Sequence, residues 1–157
     1  MSQVNLTELR AGGPQDLNQV SAIMQDAFDP RFGEAWTSSQ CMGMLSLPGV
    51  WLTLASMDGR DVGFALVRST GEEAELLLLA TRPAARGRGI GGALLRAAIE
   101  EARDRRAATI FLEVRSGNDA IRLYQREGFG KVGERKAYYR GKNGQVFDAL
   151  TYSRQVG

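Results

Sequence analysis

The segment Arg82-Pro83-Ala84-Ala85-Arg86-Gly87-Arg88-Gly89-Ile90-Gly91-Gly92 constrains the fold more than any other part of the chain. Residues 75–81 precede it, and their four consecutive leucines predict a strand buried on both faces, as in the middle of a sheet. After it, Ile90, Leu94, Ala98 and Ala102 form one helical stripe, supported by Leu95, while Arg96, Glu100, Arg103 and Asp104 fall largely elsewhere. A helix amino terminus carries free N–H groups and a partial positive charge, which suits phosphate. Glycines remove the Cβ atoms that would hold a pyrophosphate away from those groups. Between Arg82 and Arg106 stand seven arginines against three acids, a local excess of +4 in a chain of +2. Strand, glycines, helix and arginines together point to a phosphate-bearing ligand; a flexible turn with a solvated basic helix is the plainer alternative.

Two phosphate-binding folds do not fit this turn. A Walker loop is excluded because Gly92 is followed by Ala93-Leu94, not by the Lys-Ser/Thr that holds phosphate and magnesium. Gly87, Gly89 and Gly92 do spell G-x-G-x-x-G, and Glu113 stands about twenty residues on, where a dinucleotide fold keeps its ribose-binding acid. However, five residues separate Thr81 from Gly87, whereas that fold turns almost at once, and the 44 residues after Glu113 are too few for the rest of a doubly wound sheet.

Elsewhere the pattern alternates between strands and helices. Residues 4–9 alternate as a first strand, and Pro14 suits the first turn of a helix bearing Leu17, Val20, Ile23, Met24 and Ala27. An irregular aromatic stretch from Phe32 to Trp36 follows, and then Thr37 or Ser38 caps a short helix ending near Leu45. Strands at 51–56 and 62–68 flank a hairpin turn with Asp58-Gly59 at its tip. Beyond the central helix come a strand at 109–114, a helix at 119–127 stopped by Gly128, and strands at 131–139 and 146–152. The order predicts an α/β fold with a mixed central sheet, in one domain over residues 1–157.

Composition narrows the chemistry. The chain has no histidine, which removes Ser-His-Asp and Cys-His hydrolysis and the usual zinc ligand sets, so no metal is expected. The single cysteine, Cys41, admits no internal disulfide and fits a reducing compartment. A charge of +2 speaks against a dedicated nucleic-acid binder. The first residues lack a basic start followed by an apolar run, and the longest apolar stretch, 76–80, is far short of the roughly twenty residues of a membrane helix. A cytoplasmic protein without membrane contact is expected.

Read as Arg86-x-x-Gly89-x-Gly91, the same turn resembles the GCN5-related N-acetyltransferases, and the resemblance extends over nearly the whole chain. It implies a mixed sheet of about seven strands flanked by about four helices, splayed by a bulge at the cofactor site. It also implies acetyl-coenzyme A as acetyl donor. The pyrophosphate would lie on the backbone of Arg86, Gly87, Arg88, Gly89, Ile90, Gly91 and Gly92, and the thioester arm along Leu79, Ala80 and Thr81.

A second cluster, Leu112-Glu113-Val114-Arg115, Asn118, Leu123-Tyr124 and Gly128-Phe129, resembles the RimI-like branch of protein N-terminal acetyltransferases. Taken alone, Glu113 facing solvent or pairing with Arg115, and Tyr124 packing in the core, are the plainer readings. The whole motif implies catalytic roles instead. An α-amine of pKa about 7.7–8.0 is largely protonated at neutral pH, and Glu113 would remove that proton. Backbone N–H groups of Leu79 to Thr81, Ala80 foremost, would hold the developing oxyanion. Tyr124, a phenol of pKa about 10, would reprotonate the departing thiolate. Asn118 is implied as a coenzyme A contact, although it precedes Tyr124 by six residues where the family usually has seven. A residue missing from the loop leaves Tyr124 in the site and puts Gly117 at the asparagine position; one missing from the helix would turn Tyr124 away by about 100°.

In that branch a Tyr-Tyr pair on the last hairpin, and a loop aligned with residues 32–36, wall a slot for an incoming peptide terminus. The implied acceptor-binding residues are Tyr138 and Trp36, with strand alternation putting Tyr138 and Tyr139 on opposite faces. Trp36 reads equally as a core anchor, and Glu34 as an exposed carboxylate near a cationic amine. The implied partner is a protein N-terminus, that of a ribosomal protein, with no direct nucleic-acid contact. A small amine or lysine side chain is the alternative acceptor; a non-catalytic acyl-coenzyme A sensor would keep the glycine turn without needing Glu113 and Tyr124.

Overall fold

The computed structural model describes residues 7–156. Its strands are β1 (Thr7–Gly12), β2 (Val50–Met57), β3 (Arg60–Ser69), β4 (Glu73–Thr81), β5 (Thr109–Arg115), β6 (Gly130–Arg140) and β7 (Val146–Gln155). They form one sheet in the order β1-β2-β3-β4-β5-β7-β6, antiparallel throughout except between β4 and β5. The helices are α1 (Leu17–Ala27), α2 (Ser38–Leu45), α3 (Ile90–Asp104) and α4 (Ala120–Arg126). This is the mixed α/β fold the sequence predicts. The anticipated first strand at 4–9 lies partly outside the described residues; the observed β1 runs on to Gly12, paired with β2 along its length.

Local signals place most boundaries. Thr37 accepts from Gln40 N–H while the Gln40 side chain accepts from Thr37 N–H, a reciprocal cap that starts α2. Asp58 (φ 52°) and Gly59 (φ 79°) form the two-residue turn between β2 and β3, both left-handed, as the sheet's twist requires. Two cores cover the sheet. Val20, Ile23 and Met24 of α1 and Cys41 and Leu45 of α2 pack on Leu52, Leu54, Phe64 and Leu66. Leu94, Leu95, Ala98 and Ala102 of α3 pack on the opposite face. Burying each of those leucines contributes about 1.5–3 kcal/mol.

The functional geometry begins with an irregularity in β4. Leu66 of β3 faces Leu78 but the next residue, Val67, faces Leu76, so Leu77 is an extra residue, a bulge. The extra residue reverses the alternation: Leu76 belongs to the α3-side core, whereas Leu78 and Ala80 belong to the α1-side core. The run of leucines thereby serves both faces. Parallel pairing of β4 with β5 ends at Leu76 and Leu112. Beyond that point the two strands diverge, leaving one edge of residues 77–81 without a strand partner.

Candidate active site

The divergence opens a cavity of about 810 Å³, walled by the end of β4, the glycine turn, the end of β5, α4, the loop after α1, and β6. Leu79, Ala80, Thr81, Arg86, Gly87, Gly89, Ile90, Gly91, Gly92, Glu113, Asn118, Tyr124, Trp36 and Tyr138 all line it. Of the predicted site residues, only Arg88 is not on this wall; its guanidinium lies 3.8 Å from Met57 Sδ. Arg86 is on the wall, but its side chain donates to the carbonyls of Thr81 (3.3 Å) and Ala27 (2.8 Å). Its guanidinium therefore ties the turn to β4 and to the carboxyl end of α1.

Gly87 and Gly89 both sit at φ 78°, a left-handed conformation that favours glycine. Gly89 is the residue before α3 and has no side chain to cap it. The first helical bond runs from Ala93 N–H to the Gly89 carbonyl, so the N–H groups of Ile90, Gly91 and Gly92 have no acceptor within the helix. They lie at the end of the cavity nearest the glycine turn.

Along β4, Arg82 N–H donates to the Val62 carbonyl of β3 at 2.8 Å. Backbone groups alternate sides every residue, so those of Ala80 also face β3, while those of Leu79 and Thr81 face the splay. The Thr81 carbonyl, reached by Arg86 from the open side, agrees with this. The two-residue period and the ladder with β3 thus claim the N–H of Ala80, expected above as the foremost oxyanion donor, and leave those of Leu79 and Thr81 facing the cavity.

Glu113 stands on β5 with its side chain 17% exposed. It does not pair with Arg115. Its Oε1 forms an ion pair with Arg135 of β6 at 2.9 Å, and its Oε2 is buried without a donor among the described residues. Tyr124 is both a core residue and a cavity residue: it packs edge-on against Phe129, with ring centroids 6.0 Å apart, and lines the cavity. Tyr124 thus faces the cavity despite the short Asn118-to-Tyr124 spacing. Burial pushes the Tyr124 phenol well above the usual range, helped by the nearby charge of Glu34 and by Tyr139.

Glu34 is not exposed. Its carboxylate accepts from Arg115 Nε (3.1 Å) and Asn118 Nδ2 (2.8 Å), with both charged side chains only 10% exposed. The Arg115 guanidinium also lies 3.7 Å from the Phe32 ring centroid. Asn118 Oδ1 accepts from Ala120 N–H, so both ends of this amide are engaged within the protein, joining the start of α4 to the loop after α1. The sequence reading did not find this network. Arg115 shares a strand face with Glu113, but its partner lies 81 residues away on an irregular loop.

Tyr138 and Tyr139 both line the cavity, against the alternation expected of a strand. Between Arg135 and Tyr139 the ladder slips, three residues of β6 standing opposite Asp148 alone, and Ala137 adopts φ 53°. Asp148 accepts from Ala137 N–H (2.9 Å) and Lys136 Nζ (3.4 Å), which holds the bulge and keeps its carboxyl below the ordinary range. The two rings meet edge-to-face at 5.0 Å. Trp36 packs on the α1-side core, as its core reading expects, and also lines the cavity.

The site thus joins a strand splayed from its parallel neighbour to a glycine turn that feeds a helix amino terminus. Residues 17–129 match the acetyltransferase (GNAT) family, and the chain belongs to that family. It is 39% identical over 108 residues to the N-alpha-acetyltransferase RimI of Mycobacterium tuberculosis, covering 66% of this chain and 65% of that one. It is 36% identical over 91 residues to the [ribosomal protein bS18]-alanine N-acetyltransferase of Escherichia coli K12, covering 57% and 62%. Both matches span just under two thirds of the relative's length. The crystal structure of the ribosomal-protein-S18-alanine N-acetyltransferase from Escherichia coli superposes with a TM-score of 0.86 at 27% identity, covering 97% of this chain and 95% of that one. Among the described residues no helix is long and apolar enough to cross a membrane.

Proposed function

We propose that this protein transfers the acetyl group of acetyl-coenzyme A to the α-amine of a protein N-terminus, with a ribosomal protein as acceptor and the cytoplasm as its place of action. One observation carries the reading. The free edge of β4, a largely buried carboxylate with one oxygen unpartnered among the described residues, and a buried phenol line a single cavity. The names of the relatives support the acceptor class.

Acetyl-coenzyme A fits the chain's own groups. The N–H groups that begin α3 are oriented for a pyrophosphate, and the open edge of β4 suits an extended pantetheine arm. When bound, the donor supplies the activated acetyl group. Glu113 takes the proton from the acceptor ammonium, directly or through a water, so that the nitrogen can attack. The N–H groups of Leu79 and Thr81 stabilise negative charge as it develops on the carbonyl oxygen. Tyr124, kept protonated by its surroundings, returns a proton to the leaving sulfur.

The acceptor side favours a chain end. The loop after α1 and the β6–β7 hairpin touch: Lys142 N–H donates to the Pro30 carbonyl (3.3 Å), and Phe32 meets Phe147 edge-on at 5.3 Å. A Cβ on Gly33 or Gly141 would collide with the backbone of Arg140 or Arg31. A terminus can enter end-on beside this bridge, whereas an internal lysine must bring flanking chain past it.

The test is an acetyl-transfer assay on short peptides differing in their first residue, beside free lysine and polyamines. Peptide α-amines are the expected acceptors. Glu113→Gln and Tyr124→Phe each lower kcat by about 10²–10⁴ with coenzyme A binding nearly intact. Turnover confined to lysine or polyamines contradicts the terminus reading; wild-type rates in both variants contradict the catalytic assignment.

A further inference from the structure

On the reading just proposed, Glu113 must meet the acceptor's nitrogen, yet one of its oxygens is already occupied. Arg135 Nη2 lies 2.9 Å from Oε1, while Oε2 is buried without a donor among the described residues. The two partners differ sharply in exposure: the Arg135 side chain is 59% exposed and that of Glu113 17%. The guanidinium carbon stands 5.0 Å from the ring centroid of Tyr138, a cavity residue. Arg135 also closes the regular part of the ladder, with Ala149 its last partner before the bulge.

These facts set up a competition. An α-ammonium entering the cavity is a second cation for the same carboxylate, and two cations at contact distance repel. The more exposed one gives way more readily, because water replaces what it loses. We propose that Arg135 is a displaceable counter-ion, a positioning residue that occupies Glu113 while the acceptor slot is empty and yields to the acceptor's ammonium. It sets acceptor affinity more than it sets the chemical step. The cation–ring contact with Tyr138 gives the released guanidinium a resting place at the mouth of the slot.

The experiment is steady-state kinetics at saturating acetyl-coenzyme A, using a hexapeptide with a free α-amine and uncharged side chains. Removing the competing charge in Arg135→Gln should lower the peptide KM about 3- to 10-fold while kcat changes less than about twofold. Arg135→Lys keeps the charge, and its KM should stay within about twofold of the native protein. A merely structural arginine predicts the opposite direction, a raised KM or a lost kcat. An unchanged or raised peptide KM in Arg135→Gln, at an unaltered melting temperature, overturns the proposal. Failure of the underlying reading looks different: the native protein then acetylates free lysine or a polyamine and no peptide. In that case the proposal is tested on that amine, whose KM must show the same fall.

Discussion

Tyr124 belongs to the core and to the cavity wall at once. Its ring fills the core beside Phe129, and its phenol lines the cavity with Glu34 and Tyr139 nearby, all of which favour the neutral form. Tyr139 is shifted the same way, chiefly by burial and then by Glu34 and Glu113. The sign of the pH effect follows. The unfolded chain releases each phenolic proton near pH 10 while the folded chain retains it, so stability is full below about pH 10 and is lost as pH rises beyond. Urea midpoints should therefore fall from about pH 10 upward, and Tyr124→Phe should remove part of that fall; an identical pH dependence in the variant contradicts this environment. That Glu113 and Tyr124 share the cavity was legible because they lie in a short linear motif. Glu34 was misread because an irregular loop gives no periodicity from which to judge burial.

At the scale of elements, strands and helices followed from periodicity and caps, whereas the bulges did not. Four leucines in a row signalled burial on both faces, but the register slip at Leu77 that produces it depends on pairing with β3. Likewise Tyr138 and Tyr139 share the cavity through a slip held by Asp148, a partner on the neighbouring strand. The backbone of the glycine turn was legible, since Gly87 and Gly89 adopt the left-handed conformation their residue type permits, whereas the place of Arg88 off the cavity wall was not. A Cβ at Gly89 meets no atom within 4 Å, so substitution there acts through φ and not through a clash. Gly89→Ala should cost about 1–2 kcal/mol in urea unfolding and weaken acetyl-coenzyme A binding measured by calorimetry. Unchanged stability and affinity would contradict the strained turn.

For the molecule as a whole, function depends on parts distant in sequence being held against one another. The loop after α1 and the end of β5 are joined by the Glu34–Arg115 pair, and the same loop leans on the β6–β7 hairpin through Phe32 and Phe147. Removing one member of a pair so nearly buried leaves the other charge uncompensated. Glu34→Ala should therefore lower stability by about 3–5 kcal/mol. At temperatures where the variant is folded, it should raise the acceptor KM more than the acetyl-coenzyme A Kd. Equal loss on both sides would mean that the loop does not serve the acceptor slot in particular.

On the proposed function, the splayed edge of β4 and the first turn of α3 form one continuous donor site. Backbone amide exchange, followed by NMR as acetyl-coenzyme A is added, tests it residue by residue. The N–H groups of Leu79, Thr81, Gly91 and Gly92 should become protected, while Ala80, already facing β3, changes little. A folded protein that binds the donor with those four amides unaffected, or with protection confined to another face of the sheet, contradicts the account.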